Sequence, residues 1–187
     1  MTTIKVLLLE DMEHDFTKLK EIVEQINDEF SSQSIKLSLL YDWEEIHRLV
    51  SNYVASKTME VNLQKPFKEV VLQTVNQIKG SPMLICLLDI VWTMDAKRKR
   101  RGAKTDTYGC DFYCDFLSDN PNMIMVTAIS QIPNKMKDFE KIDKFINNIP
   151  FGNDFKEQLK NKIYKLPIIK SQIIDNESKD QIPSHRM

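Results

Sequence analysis

Six consecutive apolar residues, Met83 to Leu88, run directly into a single carboxylate, Asp89. An unbroken apolar run of this length is typical of a strand that is buried on both faces, as in the centre of a parallel sheet. In open α/β folds, ligands bind at the carboxyl ends of such strands. The pattern therefore predicts a parallel sheet, with Asp89 at the edge where chemistry takes place.

Further strand-like segments alternate along the chain with amphipathic helical patterns. Strands are predicted at 4–9, 35–41, 123–128 and 144–148. This alternation, with short connections, is typical of an α/β protein with a doubly wound, five-stranded parallel sheet and helices on both faces. Two helices, not one, are predicted between the second and third strands, so one of them is an insertion.

The composition of the chain limits both the classes of protein to which it can belong and the kinds of partner that it can bind. A chain of 187 residues can bury one core without disulfides, and 26 Lys and Arg against 27 Asp and Glu give a formal net charge of -1. Such a balance provides no overall field for nucleic acid or an anionic membrane. Three cysteines without zinc-site spacing favour a cytoplasmic protein. No segment approaches the roughly 20 apolar residues of a membrane span, so no membrane association is expected.

Three of the predicted strands end in groups that chemistry could use: Glu10 and Asp11, Asp89, and Thr127. The ends of parallel strands lie side by side, and carboxylates this close cannot all stay ionised unaided. A pocket of carboxylate oxygens and water suits Mg²⁺. Such a site would let Asp89 attack phosphorus and hold an acyl phosphate, while Thr127 donates its hydroxyl to a phosphoryl oxygen.

A simpler interpretation stays open for each of these residues. Asp89 could cap the turn that follows its strand, and Glu10 and Asp11 could cap the start of the next helix. Thr127 could be an ordinary β-branched strand residue.

Five short segments, each at a predicted strand end or turn, make the chain resemble a response-regulator receiver domain of two-component signalling. They are Leu7–Asp11, Ile85–Ile90, Tyr108–Gly109, Met125–Ala128 and Pro150–Phe151. The resemblance covers roughly residues 3–166 outside two insertions. It implies a flavodoxin-like sheet with the strand order 2-1-3-4-5.

The resemblance also implies roles for individual residues. Asp89 would be the phosphoacceptor, with a histidine kinase, a phosphotransfer protein or a small phosphodonor as the donor. Mg²⁺ would be bound by Asp11, Asp89, the backbone carbonyl of Val91 and, through water, Glu10. Thr127 would be the switch hydroxyl that follows the phosphoryl group.

The implied protein is a stand-alone cytoplasmic signalling protein rather than an enzyme, with at most slow autodephosphorylation. No DNA-binding domain follows within this chain, so its output would be contact with a downstream protein that the sequence does not identify. Homodimer formation is left open.

The predicted domain spans residues 1–170, with insertions at about 42–80 and 95–107, and is followed by a polar tail, 171–187, predicted to be disordered. The second insertion carries the basic run Lys97–Arg101. A run of this kind is usually a solvated loop, and it is the one exception to the expectation that nucleic acid is not a partner.

One position departs from the family. Receiver domains have a Lys just before the Pro that follows the last strand, where it pairs with the phosphoryl group. Here Ile149 precedes Pro150, and an alignment on Phe145 places Asn148 there instead. Lys144 would lie further back along the strand. The departure keeps an alternative open, a degenerate receiver that binds a partner without using phosphate.

A third hypothesis is a phosphatase of the haloacid-dehalogenase type, since the sequence after Asp89 superficially resembles the nucleophile motif of that family. The family needs a second Asp two residues after the first, and this chain has Val91 there. The phosphatase hypothesis is therefore disfavoured.

Overall fold

A parallel β-sheet runs through the computed structural model of the chain. The structure describes residues 1–81, 83–90, 92, 107–127, 143–146 and 154–180. At 127, 143–146, 177, 179 and 180 it describes the backbone alone. Its strands are β1 (Thr2–Leu9), β2 (Ile35–Leu39), β3 (Leu84–Leu88), β4 (Met123–Thr127) and β5 (Asp143–Ile146). Among these residues the strand order is β2-β1-β3-β4-β5, and every neighbouring pair is parallel. The predicted α/β class with a parallel sheet is therefore confirmed.

Helices connect and cover the strands. They are α1 (Glu13–Ser31), α2 (Trp43–Thr58), α3 (Lys65–Lys79), α4 (Tyr108–Phe112), α5 (Phe155–Lys165) and α6 (Pro167–Asp180). A short 3₁₀ turn, Val61–Leu63, precedes α3, and α4 continues as a π-helical turn, Tyr113–Leu117. Both α2 and α3 lie between β2 and β3, and they pack against each other. None of the helices described is both long and apolar enough to cross a membrane.

The core forms where the apolar runs of the sequence meet the apolar faces of the helices. Every residue of β3 is buried, as its unbroken apolar run predicts for a central strand. On α1 the buried residues recur at helical spacing, so that one stripe of the helix covers the sheet. They are Phe16, Leu19, Val23, Ile26 and Phe30.

The start of α2 is fixed by a capping box. The backbone N–H of Glu45 donates to the Asp42 carboxylate at 2.9 Å, and the backbone N–H of Asp42 donates to the Glu45 carboxylate at 3.1 Å. Two backbone N–H groups that a helix start leaves without partners are satisfied in this way. The capping box sets where the chain turns from β2 into α2.

The prediction of a disordered tail from residue 171 is wrong for its first part, because α6 continues to Asp180. Tertiary contacts hold a segment that its polar composition alone would not order. The Asn122 side chain accepts the backbone N–H of Ile168 at 3.0 Å, and the Asn176 amide donates to the backbone carbonyl of Gln33 at 2.9 Å. Ile169, in the first turn of α6, is fully buried. Residues 181–187 lie outside the described residues.

Candidate functional site

The register of β1 and β3 brings the predicted acidic residues to one place. Leu9 pairs with Leu88, so Glu10 and Asp89 follow directly at the carboxyl ends of neighbouring strands. The backbone N–H of Asp89 donates to the carbonyl of Leu9 at 2.9 Å, which continues the ladder one step beyond the strands. The pairing of the two strands thus fixes the relative position of these carboxylates.

Glu10, Asp11 and Asp89 form an acidic cluster. Each contributes a carboxylate oxygen, and these oxygens all lie within 4.8 Å of one another. Each residue is only 4% exposed. Buried like charges this close repel strongly, so a cation or a proton must compensate them. Carboxylate oxygens are the ligands that Mg²⁺ prefers, and the acidic cluster therefore fits the divalent cation expected from the sequence.

The side chain of Glu10 is also anchored to the backbone at the start of α1. One of its oxygens accepts the backbone N–H groups of Asp11 at 3.0 Å and Met12 at 3.1 Å. Met12 is the N-cap residue of α1 and provides no side-chain cap of its own. Glu10 therefore fixes the backbone of the turn that leads into α1 rather than capping the first turn of the helix, and it remains a member of the acidic cluster.

Thr127 and Val91, the other predicted site residues, are placed only in part. Leu88 pairs with Met125, and Thr127 ends β4 two residues further on, near the level of Asp89. The side chain of Thr127 and the whole of Val91 lie outside what the structure describes. Their predicted roles as switch hydroxyl and carbonyl ligand stay predictions.

Lys144 lies further back along β5 than the end of the sheet that carries the site, as expected from the sequence. The residue pairs with Met125, two positions before Thr127 at the end of β4. Asn148, Ile149 and the basic run 97–101 fall outside the described ranges.

Gly109 contacts the backbone of the acidic strand end, a feature that sequence analysis missed. A Cβ atom built on this glycine would lie 2.2 Å from the carbonyl oxygen of Asp89 and 2.8 Å from Cα of Ile90. Both neighbours are backbone atoms that no rotamer change can remove. The start of α4 is thus pressed against Asp89, and only a residue without a side chain permits that approach. A glycine in the first turn of a short helix is the signal that could have indicated it.

An aromatic cluster, buried except for the partly exposed Phe116, continues from the site to α2. It consists of Tyr53, Trp92, Phe112 and Phe116, whose neighbouring rings have centroids 5.1 to 6.1 Å apart. The Tyr53 hydroxyl donates to the Asp115 carboxylate at 2.7 Å, and Lys57 binds the same oxygen at 2.8 Å. Burial, followed by the bond to Asp115, raises the pKa of Tyr53 far above its ordinary value of 10.0, so the hydroxyl stays a proton donor.

Comparison of the chain with protein-family models, with curated proteins and with solved structures found no match. A fold of this class hosts many unrelated functions, so the fold alone does not assign one. The acidic cluster and its surroundings are therefore the features from which a function can be inferred.

Proposed function

We propose that the chain is a receiver-like signalling protein of flavodoxin-like fold that is phosphorylated on Asp89 in the presence of Mg²⁺ and acts by contact with another protein. The observation that carries this proposal is the meeting of three buried carboxylates, from the ends of β1 and β3, within 4.8 Å of one another. An aspartyl phosphoacceptor that works with Mg²⁺ needs a carboxylate beside other oxygen ligands for the cation, and the acidic cluster supports this proposal because it has such groups.

In the proposed reaction a carboxylate oxygen of Asp89 forms a bond to the phosphorus of the donor. The bond from phosphorus to the donor's nitrogen or oxygen breaks, and its electron pair leaves with the donor. Asp11 and Asp89, with Glu10 behind them, would hold the divalent cation. When bound, the cation neutralises negative charge on the transferring phosphoryl group.

The surroundings of Asp89 suit this role. The backbone bond to Leu9 and the contact with Gly109 hold the strand end in place, so the carboxylate is positioned before a donor arrives. Asp89 is 4% exposed, and a phosphoryl group added there introduces charge and three acceptor oxygens into a nearly buried place. Neighbouring segments must then rearrange, which is how such a modification can signal.

A second candidate function is a phosphate-independent binding module. The sequence before Pro150 contains no lysine at either aligned position, Asn148 or Ile149. Lys144 is placed beside Met125, behind the end of β4. A receiver that lacks this lysine loses a contact to the phosphoryl group. In such a protein α2 and α3 would form a contact surface that is present whether or not Asp89 is phosphorylated.

Incubation of the full chain with Mg²⁺ and acetyl phosphate, followed by intact-mass measurement, tests the proposal. We expect one added phosphoryl group, lost in Asp89→Asn and retained in Asp28→Asn. Asp28 is a matched control because it is an exposed aspartate on α1. An unmodified wild-type chain, or modification that persists in Asp89→Asn, would overturn the assignment of Asp89. Partner binding that needs neither Mg²⁺ nor Asp89 would favour the binding module.

A further inference from the structure

A small cleft opens between α2, α3 and the π-helical turn, away from the acidic cluster. Its volume is about 170 Å³, and its walls include Tyr53, Val71, Leu72 and Phe116. An engineered apolar cavity of about 150 Å³ is large enough to bind benzene. The cleft can therefore accept one side chain of the size of leucine or phenylalanine.

Exposed apolar side chains are concentrated in the stretch of sequence that leads into α3 and provides part of the wall of the cleft. Of the large hydrophobic residues exposed in the described part of the chain, most lie between residues 59 and 72. Leu72, in the wall of the cleft, is 50% exposed, and Leu63 in the turn before α3 is 49% exposed. Leu72 thus presents apolar surface at the mouth of the cleft itself, where a partner's apolar side chain can cover it.

Charge at the cleft favours an acidic partner. The lining contains two lysines, Lys57 and Lys68, and one acid, Asp115. Asp115 is occupied by Lys57 at 2.8 Å and by the Tyr53 hydroxyl at 2.7 Å. Lys68 forms no ion pair within the described residues, and it is exposed. A carboxylate that arrives beside the apolar anchor would find this lysine available.

The aromatic cluster connects the cleft with Asp89. Tyr53, in the wall of the cleft, meets the rings of Trp92 at 6.0 Å and Phe112 at 5.1 Å, and all three residues are at most 1% exposed. Trp92 lies three residues after Asp89, and Phe112 ends the helix whose Gly109 touches the Asp89 carbonyl. Close-packed interiors shift between discrete arrangements, so a displacement at Asp89 would reach the wall of the cleft.

We propose that a partner protein reads the state of Asp89 by inserting an acidic segment into this cleft, with one bulky apolar side chain as its anchor and a carboxylate facing Lys68. The coupling to Asp89 rests on the function proposed above, whereas the binding itself does not. The wall formed by Asp115 and Phe116 belongs to a π-helical turn, a rare conformation that is frequent at functional sites.

The cleft is tested with the full ¹⁵N-labelled chain and a synthetic peptide that has a central leucine between glutamates. We expect saturable amide shifts around the cleft, and no binding of a matched peptide with lysines in place of the glutamates. Leu72→Asp and Lys68→Glu should each weaken binding about tenfold or more. Val70→Asp is the matched control, because Val70 is exposed on α3 outside the lining and its variant should bind normally.

Equal binding of the two peptides, or normal binding by Leu72→Asp, would overturn the proposal. So would a concentration-dependent dimer that Leu72→Asp abolishes while neither peptide binds, because the cleft would then join two copies of the chain.

A second arm repeats the titration with Mg²⁺ and beryllium fluoride, in the wild type and in Asp89→Asn. We expect the peptide affinity to change several-fold in the wild type alone. If acetyl phosphate modifies Asp89 but the affinity does not change, the coupling is refuted while the proposed function stands. If Asp89 is never modified but the peptide binds, the proposed function fails and the cleft remains a binding site.

Discussion

Gly109→Ala places a methyl group where the backbone of Asp89 already lies. The new Cβ would be 2.2 Å from the Asp89 carbonyl oxygen, whereas ordinary contacts begin near 3.4 Å, so α4 and the strand end must separate by about 1 Å. Overpacking of this kind costs about 1–3 kcal/mol, and here the cost should lie at the upper end because both atoms belong to backbone. For a chain of this size that is a fall in Tm of about 3–10 °C.

Urea unfolding followed by circular dichroism measures this cost, with Gly80→Ala as the matched control. Gly80 ends α3 with φ of -72°, and a Cβ there would be 3.4 Å from its nearest neighbours. Because alanine adopts that conformation without strain, Gly80→Ala should be neutral or stabilise by up to about 1 kcal/mol. A Gly109→Ala variant as stable as the Gly80→Ala variant would refute the close contact between α4 and Asp89.

Three shorter predictions follow from other contacts. Asp11→Asn should raise Tm in EDTA by about 2–4 °C, because it relieves repulsion in the acidic cluster. The same variant should lose the stabilisation that Mg²⁺ gives the wild type. Tyr53→Phe loses the 2.7 Å bond to Asp115 and should cost about 1–2 kcal/mol in urea unfolding. Hydrogen bonds from Lys160 and Lys156 hold the pKa of Glu29 below its ordinary 4.5. The stability that these hydrogen bonds provide is present above pH 4.5 and disappears as the pH falls through the lowered pKa of Glu29 in the folded protein. The urea midpoints of Glu29→Gln and of the wild type should therefore differ at neutral pH and converge in acid.

The part of the fold predicted from sequence is the part encoded by local patterns. The run that ends at Leu88 has no polar residue to face water, so it predicts a central strand without further information. Once β1 and β3 are parallel neighbours, Glu10 and Asp89 must lie at the same edge of the sheet. The acidic cluster was predictable because its three residues lie within two positions of the end of an apolar strand.

The features that were missed depend on residues far apart in the chain. The partners Tyr53 and Asp115 are separated by 62 positions, and neither has a local pattern that identifies the other. The second half of α6 is polar, and its described contact with the core of the chain includes the bond from Asn176 to Gln33, which no local pattern indicates. Gly109 has no positive φ to indicate why a glycine is needed, since its role comes from the approach of Asp89.

Anomalous diffraction from crystals of the full chain soaked in Mn²⁺ tests the central claim most directly, because the ion scatters strongly and prefers the same oxygen ligands as Mg²⁺. The account predicts one strong peak within bonding distance of carboxylate oxygens of both Asp11 and Asp89, absent in crystals of Asp89→Asn. It would be contradicted by a map without a peak there, in which the Asp89 side chain points away from Asp11 and other side chains fill the space between them.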